Sequence, residues 1–445
     1  MISALLLASV LQQAPKNYSE YSATPQDGIH FHAAFEVGGQ ALPSGSGVNG
    51  MDVFGVVFPR LGVTGGDEFE FELGAPLRLR LLDSEPKQGT ADDTGDYGLL
   101  RHQDWDDTSD FGQLLRTLRV GRDDGRYLLR AGSYSTWSLG AGWLINRYNN
   151  RLSPDYHPAG ANVIAYLGPT RLELFASDVL AGRLFAGEFR LDLGRVLSEQ
   201  DTNFDRFLLS LDVANDFGRG GGSAPGMSAV SLGLQACAVR KERVQWWIQA
   251  AGGARADTLA EAVPEYGGAL GMVLRGLPKE AMEITARLEA RHEVGRFRFG
   301  LFGAGYEFAR YSGVGLHEVP LAQEALPSTF SGYGEFAASI TPMGPDDLKL
   351  TTSASGEYFI ATGRVDADAT LQLQANGGKT AAELRLILTD VTLKPRYVVS
   401  AEVRHRFMPA LYGILGGGTE HFPVVGKGLV HGFTAGLGLG VDFAR

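Results

Sequence analysis

The sequence holds a single cysteine, Cys237, so no intramolecular disulfide can form. It sits in Leu234-Gln235-Ala236-Cys237-Ala238-Val239, an ordinary strand pattern, and reads as a small packing residue. Basic residues are in the minority: 40 Lys and Arg against 51 Asp and Glu give a net charge of −11. A nucleic-acid partner needs a basic face, and no basic cluster supplies one, so that partner is excluded. No run reaches the roughly 18 consecutive apolar residues that a membrane-spanning helix requires. Charge is not so dense, nor apolar content so low, as to leave the chain disordered: 20% of residues are charged and 44% apolar.

Motifs of catalysis are missing too. No Gly-x-Ser-x-Gly nucleophile elbow occurs; the nearest approach, Ser44-Gly45-Ser46-Gly47, has the wrong spacing and no helix after it. Gly416-Gly417-Gly418 is not a phosphate loop, because no Lys-Ser/Thr follows. No Ser, His and acid cluster locally. The sequence is read as that of a non-enzyme with no cofactor.

What is present is alternation. From Arg364 to Ala375, Val365, Ala367, Ala369, Leu371, Leu373 and Ala375 face one way, and Arg364, Asp366, Asp368, Thr370, Gln372 and Gln374 the other. Period two with one charged face is a strand; a helix would spread those charges round its circumference. Ile29, Phe31, Ala33, Phe35 and Val37 oppose His30, His32 and Glu36. Phe69 to Leu81, Met282 to Ala290 and Tyr397 to Val403 read likewise. Many of these segments run to about ten residues or more. Soluble strands average about five or six, whereas a tilted strand crossing a bilayer needs about 9–11.

The joints fall into two kinds. Thr64-Gly-Gly-Asp67, Arg122-Asp-Asp-Gly125, Arg240-Lys-Glu-Arg243 and Asn376-Gly-Gly-Lys-Thr380 are tight turns by composition. Asp83 to Asp110, Asn215 to Gly226, Arg310 to Thr329 and His421 to Gly428 are expected to be long polar loops. Short turns on one rim and long loops on the other is the arrangement of a membrane β-barrel. About twenty-two candidate strands can be marked. The short/long rhythm slips within Ser133 to Ala161, so the expectation is an even number between about 18 and 22.

The last segment is the most specific. Phe433, Ala435, Leu437, Leu439, Val441 and Phe443 alternate with small or polar residues up to Arg445. This resembles the final strand of bacterial outer-membrane β-barrels, whose terminal aromatic is read by the barrel-insertion machinery. The resemblance runs over nearly the whole chain through pattern, and implies a porin-like or transporter-like barrel in outer-membrane lipid. Physics agrees: a bilayer tolerates no unpaired backbone group, so a sheet must close. The fold class expected is all-β, a single closed antiparallel transmembrane barrel over 28–445. The short apolar run Ile2 to Leu11 reads as part of a signal peptide over 1–14, with a periplasmic segment over 15–27.

Three functions fit such a chain: a porin-like barrel passing small polar solutes or a polymer; a plugged or gated barrel serving a polysaccharide-export or motility complex; and an outer-membrane hydrolase. The segment that breaks the rhythm, Ser133 to Ala161, interleaves aromatic faces with planar donors. Trp143, Arg147, Tyr148, Asn149, Asn150, Arg151, Asp155 and His157 are the residues expected to form a constriction or touch substrate. Inward charges are mixed, with Arg78, Arg80, Arg287, Arg404 and Arg406 against Glu68, Glu70 and Glu72. They would either set a transverse field or pair across strands and fill the lumen. His30 and His32, with Glu36 near, have zinc-like spacing but no obvious further ligand. The acidic loop (Asp83, Glu85, Asp92, Asp93, Asp96, Asp104, Asp106, Asp107 and Asp110) lacks the spacing of a dedicated calcium loop.

Overall fold

A computed structural model describes residues 28–43, 50–84, 98–152, 155–197, 206–218, 226–259, 265–279, 281–310, 321–342, 348–392, 395–424 and 428–444. The segments read as signal peptide and periplasmic leader, and Glu85, Asp92, Asp93 and Asp96, lie outside the described residues.

Among the described residues there are twenty-one strands. The first ten are β1 (Ile29–Pro43), β2 (Met51–Gly65), β3 (Phe69–Gly74), β4 (Leu77–Leu82), β5 (Leu115–Val120), β6 (Tyr127–Gly132), β7 (Gly160–Leu167), β8 (Thr170–Ala176), β9 (Leu184–Asp192) and β10 (Phe207–Asp216). The next six are β11 (Met227–Lys241), β12 (Val244–Arg255), β13 (Tyr266–Lys279), β14 (Met282–Gly295), β15 (Leu326–Ile340) and β16 (Leu348–Phe359). The last five are β17 (Arg364–Ala375), β18 (Thr380–Thr389), β19 (Arg396–Arg406), β20 (Leu411–Val424) and β21 (Gly428–Ala444).

Each strand pairs antiparallel with its neighbours, and β21 returns to β1 in the register His32↔Ala444 to Ala41↔Ala435, which closes the ring. Among the described strands β4 pairs with β2 alone, continuing the line of β3 past Ala75-Pro76. Proline cannot donate to the ladder, so the long strand expected from Phe69 to Leu81 breaks there. Twenty strands therefore form the closed barrel, an even number inside the expected range.

The alternation has its expected cause. Ile29, Phe31, Leu232, Leu288 and Leu437 lie on the outside, more than half exposed, where lipid covers them. Glu36, Arg60, Glu72, Glu289, Arg291 and Arg364 point inward and are buried. The turns at 66–68, 242–243 and 376–379 share one rim with both ends of the ring. The connections that follow β4, β6 and β14 start from the other. Two readings are corrected. His421 to Gly428 is not a long loop: β20 and β21 run on to Val424 and from Gly428, paired through His421↔His431. The slip within Ser133 to Ala161 is no miscounted strand: among the described residues of 133–159 there is none, and two isolated bridges, Trp137↔Tyr148 and Ile145↔Phe302, are the ladder contacts. A chain turned in on itself can bond its backbone locally and so has no need of a strand there.

Candidate functional site in the lumen

The connection 133–159 enters the barrel and meets a second inward segment, 296–310, which follows β14. Main chains join them: Gly300 N–H donates to the Trp143 carbonyl at 2.8 Å, Phe302 N–H to Leu144 at 3.0 Å, and Asn146 N–H to Phe302 at 3.2 Å. Their apolar side chains form one core. Trp137 stacks on Phe175 of β8 at 3.8 Å between centroids, and Trp143 meets Phe299 edge-on at 6.0 Å. Phe302, Tyr306 and Leu301 complete it, against Leu184, Met227 and Ala269 on one wall and Ile387 and Val398 on the other. Each buried apolar side chain of this size contributes about 1.5–3 kcal/mol, so the pair of segments is a packed partition.

Polar anchors tie the partition to the wall. Arg147 crosses to Asp368 of β17, Ser353 of β16 and Glu335 of β15. Arg385 of β18 donates to the Ser135 carbonyl at 2.6 Å, and Arg287 of β14 to that of Ala141 at 2.6 Å. Arg287 also lies over the Trp143 ring at 5.0 Å. Tyr148 donates to Glu307, whose carboxylate is shared with Arg183 at 3.0 Å and Arg310 at 3.4 Å. Burial pushes the Tyr148 hydroxyl up, and neighbouring Glu307 adds to this. Asn150 accepts from Tyr134 N–H at 2.8 Å and donates to the Ser177 carbonyl at 3.0 Å. Asn149 accepts from Arg151 N–H at 3.0 Å, and Arg151 donates to the carbonyls of Pro158 and Gly112 at 2.9 and 3.0 Å.

A third inward piece, His102 to Leu114 at the long-loop rim, packs on the end of the partition. Asp104 lies between Arg78 at 2.9 Å, Arg101 at 2.6 Å and His157 at 3.5 Å. Burial favours the neutral acid, but Arg78 and the His157 and Arg101 contacts outweigh it and hold Asp104 well below the usual carboxylate range. Arg101 also pairs with Asp155. Burial, with Arg78 and Arg151 near, lowers His157 to about 4 despite Asp104. Asp110 caps its own turn, accepting from Asp107 N–H at 3.0 Å and from His157 N–H at 3.3 Å; burial raises its carboxyl to about 8.

All eight residues singled out in 133–161 thus come together in or beside the partition. Trp143 and Tyr148 are fully buried, with no ring face open to a passing solute. Of the lumen charges, Arg78, Arg287 and Arg404 are ion-paired, Arg80 lies 3.6 Å from Asp52, and Glu72 is held by His32 at 3.1 Å and Arg60 at 3.6 Å. Arg406 pairs with Asp442 at 2.5 Å near the turn 407–410, and Glu68 lies exposed in the turn before β3. Glu70 is half-buried on β3. His32 bonds Glu72 while Glu36 is taken by Arg60 and Arg404, so the histidine pair gathers no ligand set. Among the described residues no three His, Cys, Asp or Glu are grouped to hold a metal.

On the other side of the partition is a cavity of about 530 Å³ between β1–β5 and β18–β21. Glycine makes room for it: Gly38, Gly416, Gly436 and Gly438 line it. Its charged lining includes Glu36, Arg78, Arg116, Glu383, Glu402 and Arg404. The sequence reading missed Arg116 and Glu383, and the whole of 296–310.

A closed twenty-strand barrel with an apolar belt outside and charged residues within is a transmembrane β-barrel of the outer-membrane kind. No family model matches the chain, and no curated relative matches it. Among solved structures it is similar to a BenF-like porin from Pseudomonas fluorescens Pf-5 (9% identity, 95% of this chain and 100% of that one, TM-score 0.35). It is also similar to Pseudomonas aeruginosa OpdK with vanillate (9%, 94% and 99%, 0.37) and to Acinetobacter baumannii OccAB2 (8%, 95% and 99%, 0.36). With scores below 0.5, none of the three decides anything about this chain; its strand order and its lumen do.

Proposed function

We propose that this barrel is a porin-like channel of the outer membrane that passes small polar solutes along one side of its lumen. The observation that supports it is the cavity beside the partition. It is charged, lined by glycine, and far too polar to be a folding void, since empty cavities in proteins are apolar. The partition 133–159 and 296–310 acts as the constriction by excluding solute from the opposite half. Solute then touches the barrel wall and the partition's edge near Ser133, and Trp143 and Tyr148 act from within as its core.

The test is single-channel conductance of the full chain in a planar lipid bilayer. Small discrete steps are expected, rising when Trp143 to His157 is deleted. A stably inserted but silent protein would overturn this reading. It would favour a plugged barrel, the second reading that the aromatic core supports.

A further inference from the structure

Three arginines line the cavity. Arg78 is paired with Asp104 at 2.9 Å and Arg404 with Glu36 and Glu402 at 3.0 and 2.7 Å. Arg116 differs: among the described residues no carboxylate is paired with it, its Nε has no hydrogen-bond partner, and its guanidinium lies over the Phe58 ring at 5.1 Å. The backbone delivers it there by a specific device. On β5, Leu115 and Thr117 pair with Leu73 and Glu72, consecutive residues of β3, so Arg116 is the extra residue of a bulge. Arg116 lines the cavity beside Thr117. A bulge re-aims a side chain in this way, and bulges concentrate beside functional sites.

The carboxylates show the mirror image. Glu36 is held by Arg60 and Arg404, and Glu402 by Arg404. Glu383 of β18 has no ion pair with a described residue; it accepts one bond from Gln372 at 3.1 Å. It stands opposite Glu402 in the β18–β19 register, so the two acids concentrate negative charge on that wall. The cavity therefore keeps one unpaired cation on the β5 wall and one unpaired anion on the β18 wall, seven strands round the ring. A pocket of this size suits a small molecule, with a few placed charged groups to orient it.

We propose that the cavity binds a small zwitterion, its carboxylate on Arg116 above Phe58 and its ammonium on Glu383. This rests on the channel reading above and names its solute class. The amino-acid-like ligand completes both charges at once, which neither a simple anion nor a simple cation does.

The experiment is calorimetric titration of the detergent-solubilised full chain with glycine, 4-aminobutanoate and 6-aminohexanoate, and with hexanoate and hexylamine as single-charge controls. One member of the zwitterion series is expected to bind at least tenfold more tightly than either control. Arg116→Gln and Glu383→Gln should each remove that advantage, and Arg116→Lys should restore most of it, with circular dichroism showing each variant folded. No binding by the series, hexanoate as good as the best zwitterion, or indifference to both neutral variants would overturn the proposal. Conductance of the same preparation separates the two readings. A conducting channel without binding sinks the zwitterion site alone, and tight binding in a silent protein sinks the channel alone.

Discussion

Arg147 and Asp368, 221 residues apart in the chain, meet across the lumen: the Arg147 Nε donates to both carboxylate oxygens at 3.0 and 2.7 Å. Arg147 does so from a left-handed backbone, φ 57°, that a non-glycine residue rarely adopts and that costs ~1–3 kcal/mol. The pair over-determines that conformation and fixes the far edge of the partition. Asp368→Ala leaves a buried guanidinium without its main partner, and such losses cost about 3–5 kcal/mol. The expected outcome is a partition that detaches while the barrel stays closed. Single-channel recordings would show larger, noisier steps with an unchanged far-ultraviolet spectrum.

Two glycines should respond oppositely to added bulk. A Cβ at Gly436 would meet nothing nearer than 3.5 Å, so Gly436→Tyr fits the sheet and fills the cavity. Conductance is expected to fall several-fold at unchanged melting temperature. A Cβ at Gly418 would lie 2.0 Å from the Val399 carbonyl oxygen, inside the β19–β20 ladder. Gly418→Ala is expected to lower the yield of folded barrel, read by the fraction resistant to protease in vesicles.

The two faces of β11 give a further contrast. Leu234, halfway along the strand, is half exposed on the lipid side, and Gln235 bonds Gln249 inside. Leu234→Arg should cost roughly 2–4 kcal/mol, the toll for a guanidinium near the bilayer midplane. Gln235→Arg should cost far less. Urea unfolding from lipid vesicles measures both.

The docking of His102 to Leu114 should depend on pH through Asp110. Its carboxyl rises from an ordinary 3.8 to about 8 when docked. The docked state thus keeps a proton that the undocked state has lost. Its contribution is fully present below about pH 3.8 and is lost as the pH rises to about 8. His157, lowered from 6.5 to about 4, acts in the other direction: its contribution is present above 6.5 and lost as the pH falls to about 4. Asp110→Asn should therefore protect 98–114 from hydrogen exchange better than the native chain at pH 8. At pH 4 the two should match; a difference of equal size at both values would overturn the assignment.

The barrel was legible in the sequence because lipid outside and charge inside impose period two on nearly every strand, as β17 shows from Arg364 to Ala375. The same rule concealed the partition's second half. Phe297, Phe299 and Leu301 alternate with Arg298 and Gly300 because that segment also lies between two unlike surfaces, so it reads as a continuation of β14. The segment 133–159 declared itself by breaking the rhythm, but its aromatic residues read as a solute path when they are core. Arg116 was illegible for the opposite reason: one bulge on β5 shifts the face, and local sequence carries no mark of it.

The seam between β1 and β21 joins the first strand of the ring to the last. Topologically the molecule is a circle that happens to be cut there. A chain begun at Arg243, run through β21, joined by a short linker to β1 and ended at Glu242 would trace the same circle, because short exposed turns are where such cuts are tolerated. The identity of the structure resides in cyclic order, and the place where the gene starts is incidental to it.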